Sequence, residues 1–229
     1  MILWHGSENI ITKPSLSAAK DNNDYGPGFY CTSEFDMACE WACKNNKNGF
    51  ANKYKFNTNK LKVLDLFDGN YNILNWMALL LSNRKFSLNT EIAENAKAYI
   101  LKNFLVDLNG VDFIIGYRAD DSYFSFAESF IENGFSLQSL EKALYLGKLG
   151  IQIALISEKA FKRLTFVDAK EADKNIYYSR FNARDNNARN EYRNNIRNSK
   201  SFKKDIFVMD ILREEMKNSD ERIQRIIFK

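Results

Sequence analysis

Apolar and polar positions change period several times along the chain, and each change marks an element. Ile2 to His5 is a short apolar start that empties into Gly6-Ser7, the pattern of a first strand running into a loop. Residues 6 to 24 are polar and aperiodic, with Pro14 and the Asn-rich Asp21 to Asp24, which predicts a long surface loop. Gly26-Pro27-Gly28 puts Pro at the second and Gly at the third position of a type II turn, and Phe29 to Thr32 leaves it as a second strand. Ser33 with Asp36 has capping-box spacing and opens a helix over about 34 to 45, where Ala38, Trp41 and Ala42 recur on one face.

Ala51 to Phe56 and Lys60 to Leu66 alternate as a strand pair across the turn Asn57 to Asn59. Helices are expected at 71–84 and 91–106, then a buried strand from Val111 to Ile115. Two more helices follow at about 122–132 and 137–146, the second capped by Ser136 and stopped by Gly147. Ile151 to Ile156 and Arg163 to Val167 read as the last strands, and residues 171 to 229 as helices. The reading is an α+β chain: a core over 1–168 with helical insertions, and a helical C-terminal extension over 169–229.

Composition narrows the class. Apolar residues at 45%, aromatics at 14% and only two prolines in 229 residues exclude a disordered or collagenous chain. The longest apolar run, Trp76 to Leu81, is far short of a bilayer span, and Met1-Ile-Leu-Trp-His lacks a basic leader, so neither a membrane partner nor export is expected. Three cysteines without disulfide spacing suit a reducing, cytoplasmic setting. Between Arg180 and Asp205 eight basic residues face three acidic ones, so +5 of the net +4 sits there and the rest of the chain is about −1. Arg180, Arg184, Arg189, Arg193 and Arg197 recur at intervals of four or five, so the basic segment 180–204 is either a solvated helix face or a stripe for phosphates or an acidic surface.

With one histidine in the chain, every His-dependent mechanism rests on His5, at a strand end beside the small residues Gly6 and Ser7. His5, Cys31, Cys39 and Cys43 would make a Cys3His zinc set, but there is no C-x2-C knuckle and Cys39 and Cys43 have core spacing, so no metal is expected. A Cys31–His5 nucleophilic pair has neither an orienting group nor an oxyanion hole in the pattern, and no dinucleotide or P-loop glycine motif is present.

Leu3-Trp4-His5-Gly6-Ser7 followed by Gly26-Pro27-Gly28-Phe29-Tyr30 resembles the first two motifs of diphtheria-toxin-like and poly(ADP-ribose)-polymerase-like ADP-ribosyltransferases. Trp41, eleven residues after Tyr30, falls where those enzymes place a second aromatic. Leu149-Gly150-Ile151-Gln152-Ile153-Ala154-Leu155 matches their late strand, with Gln152 where the family has glutamate. Gly116-Tyr117-Arg118-Ala119-Asp120-Asp121 and Leu146-Gly147-Lys148-Leu149-Gly150-Ile151-Gln152 also resemble a bacterial family of unknown function (domain of unknown function 3990), from about residue 2 to at least 193.

The resemblance implies a split β-sandwich with an NAD cleft between its sheets. It implies that His5 bonds the adenosine ribose, Gly6 offers backbone to the carboxamide, Ser7 lies near the ribose and Tyr30 and Trp41 hold nicotinamide. Gly28 in the turn would let the backbone approach the dinucleotide. Tyr30 and Trp41 as core aromatics are the plainer alternative. Since an amide carries no full charge, Asp120 and Asp121 are the candidates to replace what Gln152 lacks, against a simple helix N-cap role. Arg118 would meet the pyrophosphate or pair with those aspartates.

The expected function is mono-ADP-ribosyl transfer from NAD⁺ to a protein or nucleic acid acceptor, contacted through Arg184, Arg189, Arg193 and Arg197. By analogy the chain would be a toxin or defence effector restrained by an antitoxin-like protein. The rivals are an NAD glycohydrolase and a catalytically silent NAD-binding or interaction module.

Overall fold

The structure, a computed structural model, describes residues 1–119, 121–146, 150–198 and 205–226. It is mixed α+β and shows, among the described residues, seven strands in two sheets and nine α-helices. The strands are β1 (Ile2–Ser7), β2 (Phe29–Cys31), β3 (Gly49–Phe56), β4 (Val63–Asp65), β5 (Phe113–Tyr117), β6 (Ile151–Leu155) and β7 (Leu164–Ala172). The helices are α1 (Phe35–Cys43), α2 (Ile73–Asn83), α3 (Glu91–Phe104), α4 (Asp121–Ile131), α5 (Leu137–Leu146), α6 (Glu158–Phe161), α7 (Lys174–Asn198), α8 (Val208–Arg213) and α9 (Glu221–Gln224).

The chain gathers into two compact units, each drawn from three segments. One comprises Met1–Asp65, Leu108–Arg118 and Gly150–Asn186 and holds both sheets with α1, α6 and the first turns of α7. The other comprises Leu66–Asp107, Ala119–Leu149 and Asn187–Lys229 and holds α2 to α5, α8, α9 and the rest of α7. Within the helical unit, α2 is buried on all sides from Ile73 to Leu81, and its start is closed by a capping box between Asn72 and Asn75. Thr90 caps α3, and the Ser136 hydroxyl accepts the Ser139 N–H at 3.2 Å. Among the described residues no helix is long and apolar enough to cross a membrane.

In the sheet unit, β1-β3-β7 form one antiparallel sheet and β2-β6-β5-β4 the other, with β4 parallel to β5. The expected hairpin between β3 and β4 does not form. Both edges of β3 are taken, by β1 and β7, while Asp112 draws β4 into the second sheet. Its carboxylate accepts the Lys62 N–H at 2.7 Å, the Ser157 hydroxyl at 2.7 Å and Lys159 Nζ at 3.1 Å, tying the starts of β4, β5 and α6 together. The last strand also runs beyond the expected Val167, to Ala172, because β3 continues to offer partners: Lys53 pairs Asp168 and Gly49 pairs Ala172.

Leu3, Tyr54 and Phe56 of the first sheet pack on Phe29, Cys31, Phe113, Ile153 and Leu155 of the second. Edge-on ring contacts of Phe29 with Tyr54 (5.5 Å) and Phe56 with Phe113 (5.3 Å) lock the two sheets face to face. On the outer face of the first sheet, α1 lies close because its contact residues are small: Ala38, Cys39, Ala42 and Cys43 meet Ala51 and Ala172. Gly6 belongs to that contact, since a Cβ there would sit 2.0 Å from the Ala38 carbonyl oxygen.

The first turns of α7 fasten onto α1. The Tyr177 hydroxyl donates to Asp36 at 3.2 Å, Arg180 lies 3.7 Å from the same carboxylate, and Arg184 reaches the buried Glu40 at 2.7 Å. Burial pushes the Glu40 carboxyl up, and the Arg184 guanidinium opposes that shift. Arg184, expected to contact an acceptor, is thus turned onto α1 with its charge held within the chain. Arg184→Gln should cost about 1–3 kcal/mol of unfolding free energy in urea, because it strands a buried carboxylate. Arg180→Gln, removing an exposed pair, should cost under about 0.5 kcal/mol.

Candidate functional site

Among the described residues the two sheets are joined edge to edge by one bridge. Trp4 and Thr32 exchange both backbone hydrogen bonds at 2.8 Å, and there the ladder ends. In an antiparallel strand the N–H and C=O of one residue share an edge, and the edge alternates along the chain. With Trp4 turned to β2, Gly6 presents its N–H and C=O along the same edge, where β2 has already turned away to pair with β6. The next carbonyl of β2 in line, Tyr30 C=O, is taken by the His5 ring instead, Nδ1 to oxygen 2.7 Å.

That contact fixes the state of the ring. A carbonyl can only accept, so Nδ1 carries the proton of the neutral imidazole and Nε2 is an unprotonated acceptor. Among the described residues nothing donates to Nε2. His5 also stacks on Phe29, centroids 4.2 Å apart and planes 27° apart. Burial pulls its pKa below the usual 6.5 against a smaller upward pull from the Tyr30 carbonyl, which keeps the ring neutral at physiological pH.

The buried side chain of Asn52, which the sequence reading passed over, shapes the loop after β1. Its Oδ1 accepts the Ile11 N–H at 2.9 Å, and its Nδ2 donates to the His5 carbonyl at 3.1 Å and the Ser7 hydroxyl at 2.9 Å. Ser7 in turn donates to the Asn9 carbonyl at 2.7 Å, so its hydroxyl is engaged in holding the loop. The signal for Asn52 was available in the pattern. It shares a strand face with Tyr54 and Phe56, and a polar residue on an apolar face needs hydrogen-bond partners.

Tyr30 is anchored by its own turn: its hydroxyl donates to the Gly26 carbonyl at 2.6 Å and accepts the Tyr25 N–H at 3.0 Å. The turn differs from the expected type II geometry. The left-handed residue is Gly26, at φ +80°, whose N–H bonds the Asn23 carbonyl at 3.1 Å. Gly28 has an ordinary φ, and its hydrogen is required by β6, since a Cβ would lie 2.7 Å from the Leu155 carbonyl oxygen.

Trp41, on α1, touches Gly6, with its Cβ 2.9 Å from where a Gly6 Cβ would stand. The Arg118 guanidinium lies 4.7 Å over the indole ring, a cation–π contact at the end of β5. The indole Nε1 is the one fully buried side-chain polar atom without a partner among the described residues.

Gln152, opposite Gly116 in the β5–β6 pairing, shares a face of the second sheet with Ala154 and hence with Tyr30, which pairs Ala154. Only 3% of Gln152 is exposed. Its Nε2 donates to Asp24 Oδ2 at 2.9 Å and to the Tyr117 carbonyl at 3.2 Å, the oxygen that also accepts the Tyr25 hydroxyl at 2.7 Å. The carboxylate beside Gln152 is therefore Asp24, itself only 4% exposed, in a stretch the polar pattern had marked as surface loop.

The structure does not describe the side chains of the two carboxylates singled out from the sequence. Asp120 is outside the described residues, and Asp121 opens α4 in the helical unit with its side chain outside them. Arg189, Arg193 and Arg197 lie on α7, their side chains likewise outside the described residues. The thiols fall into separate clusters, Cys31 between the sheets and Cys39 and Cys43 under α1. Burial pushes the Cys31 thiol up, and Cys39 up to about 11, so both remain protonated at neutral pH.

A depressed histidine pKa has a definite sign in stability. Above 6.5 the ring is neutral folded and unfolded, and as pH falls below that value the unfolded chain takes the proton first. Wild type should therefore lose thermal stability on acidification below pH 6.5, and His5→Gln should flatten that part of its Tm–pH profile.

The model of a family described as proteins of unknown function, DUF3990, matches residues 1–166, a stretch that contains His5, Tyr30, Trp41, Arg118 and Gln152. No curated protein and no solved structure matches the chain. Matching over well more than half its length, the chain belongs to the DUF3990 family.

Proposed function

We propose that this protein binds NAD⁺ where its two sheets part and transfers ADP-ribose to a macromolecular acceptor, on a fold of the ADP-ribosyltransferase kind. The single observation that carries the reading is the contact of His5 with the Tyr30 carbonyl just past the Trp4–Thr32 bridge. It brings the histidine and tyrosine of the two resembled motifs together at an open strand edge. The groups gathered there suit a dinucleotide. Gly6 offers a donor and an acceptor for a carboxamide, His5 Nε2 accepts from a ribose hydroxyl, and Trp41 and Tyr30 supply flat ring area. Arg118, beside Trp41, pairs with the pyrophosphate.

In the reaction the bond between ribose C1′ and the nicotinamide nitrogen breaks, nicotinamide leaves with the electron pair, and an acceptor nucleophile bonds C1′ and gives up its proton. The ribose gains positive character on the way, so the site must hold the ring and favour positive charge at C1′. Gln152 contributes a fixed dipole toward that charge, weaker than a carboxylate. A second reading, a silent NAD-binding module, is favoured by that same neutral amide, whereas a glycohydrolase would use water as the acceptor. A role as a bacterial toxin or defence effector, held in check by an antitoxin-like protein, is proposed by analogy alone.

Calorimetry on folded protein should detect NAD⁺ binding, weakened by about 1–3 kcal/mol in each of His5→Ala, Tyr30→Ala and Trp41→Ala. With labelled NAD⁺ and cell lysate, label should pass to a protease- or nuclease-sensitive product. Release of nicotinamide without lysate at the same rate would mark a hydrolase, and binding without release a silent module. If the distal part of α7 contacts the acceptor, replacing Arg189, Arg193 and Arg197 by Gln should lower label transfer and leave NAD⁺ binding intact.

A further inference from the structure

We propose that Asp24 is a positioning residue for Gln152: it holds the amide with Oε1 as an acceptor for a hydroxyl of the bound sugar and raises the negative charge on that oxygen. The inference rests on the NAD⁺ reading and adds the carboxylate that Gln152 lacks. Two acceptors confront Gln152, the Asp24 carboxylate at 2.9 Å and the Tyr117 carbonyl at 3.2 Å. Both can only accept, so the amide must turn its NH₂ to them, and its two donor hydrogens are used. Oε1 then points away from both. Among the described residues nothing donates to it, yet it is not among the fully buried polar atoms without a partner, where Trp41 Nε1 stands alone. On a side chain more than nine-tenths buried, the carbonyl oxygen is thus the part that meets the remaining accessible surface.

The electrostatics select the ligand group. A hydrogen bond from an amide N–H to a carboxylate pushes electron density onto the amide oxygen, a polarisation that a low-dielectric surrounding strengthens. An acceptor backed by negative charge favours a hydroxyl donor or developing positive charge and disfavours phosphate oxygens or a carbonyl. His5 Nε2, also an acceptor, has the same preference. Each therefore prefers a hydroxyl donor, the group a sugar supplies. Asp24 reaches this place from inside a tight turn, Asn23 to Gly26. The Gly26 N–H bonds Asn23, while the Tyr25 N–H bonds the Tyr30 hydroxyl and the Tyr25 hydroxyl bonds the Tyr117 carbonyl, so the residue before Tyr25 is fixed against β5 and β6.

The test compares wild type, Asp24→Asn, Gln152→Glu and the double variant Asp24→Asn/Gln152→Glu for folding, NAD⁺ affinity and nicotinamide release. Asp24→Asn should bind NAD⁺ close to normally and release nicotinamide about tenfold more slowly or worse. The double variant moves the charge to position 152 and keeps a hydrogen bond between the two side chains, and it should recover release. Gln152→Glu alone sets two carboxylates in contact that share a proton, so its release should shift to higher pH than that of the double variant. That comparison decides the matter if Asp24→Asn fails to fold. Release by folded Asp24→Asn at the wild-type rate, or identical pH profiles for Gln152→Glu and the double variant, would overturn the role of Asp24 and leave NAD⁺ chemistry standing. Wild type that neither binds NAD⁺ nor releases nicotinamide overturns both.

Discussion

The architecture of the sheet unit turns on one backbone pair. Trp4 and Thr32 join the edges of two sheets that, among the described residues, otherwise meet through side chains, and past that bridge each strand is paired elsewhere. β1 is held to β3, and its Gly6 is pressed against α1 so closely that no side chain fits. β2 is held to β6, with Gly28 against the Leu155 carbonyl. Neither strand can bend to extend the ladder without breaking one of those contacts. An exposed edge of donors and acceptors at Gly6 is the consequence, and His5 closes the first gap by bonding Tyr30.

Burying polar groups at such a parting is costly unless each finds a partner, and the unit contains a small set of residues that meet this need. Asn52 gathers the loop after β1, Asp112 gathers the starts of β4, β5 and α6, and Asp24 with Tyr25 gathers the turn before β2. Two side chains near the parting are likewise held in one orientation. His5 is held in one tautomer by a carbonyl, and Gln152 is held in one amide orientation by two acceptors. A site built of fixed acceptors discriminates by charge and hydrogen-bond direction, which is the kind of selectivity a neutral amide can still provide.

The long helix α7 spends part of its charge on contacts within the chain. Its opening turns are fastened to α1 by Tyr177, Arg180 and Arg184, so the helix that carries Trp41 is braced from outside the sheet. The basic stripe therefore cannot be read as one uniform surface: Arg184 is turned onto the buried Glu40, Arg180 makes an exposed pair with Asp36, and Arg189, Arg193 and Arg197 lie further along α7.

Local pattern was enough to find most elements. The apolar start at Ile2, the turn before Phe29, the helices from Ile73, Glu91 and Leu137 and the late strand at Ile151 are written in period, turn or capping residues, because those features act within a few positions of the chain; the helix from Phe35 is written in its period alone, since its N-cap is Glu34 with no side-chain cap and the expected Ser33–Asp36 capping box does not form. His5, Tyr30 and Gln152 drew attention through short runs of neighbouring residues, which are equally local. What the tertiary structure decided was partnership. β3 and β4 look like a hairpin, yet they join different sheets, because strand pairing is settled by which edges are vacant and by Asp112 at a distance of fifty residues. Arg184 reads as surface charge and is instead the counter-ion of Glu40. Asp24 sits in a polar, aperiodic run that has every mark of a loop, and only the fold brings it 2.9 Å from a side chain 128 positions away. No periodicity encodes such contacts: they depend on where two segments come to rest, and that is fixed by the packing of the sheets as a whole.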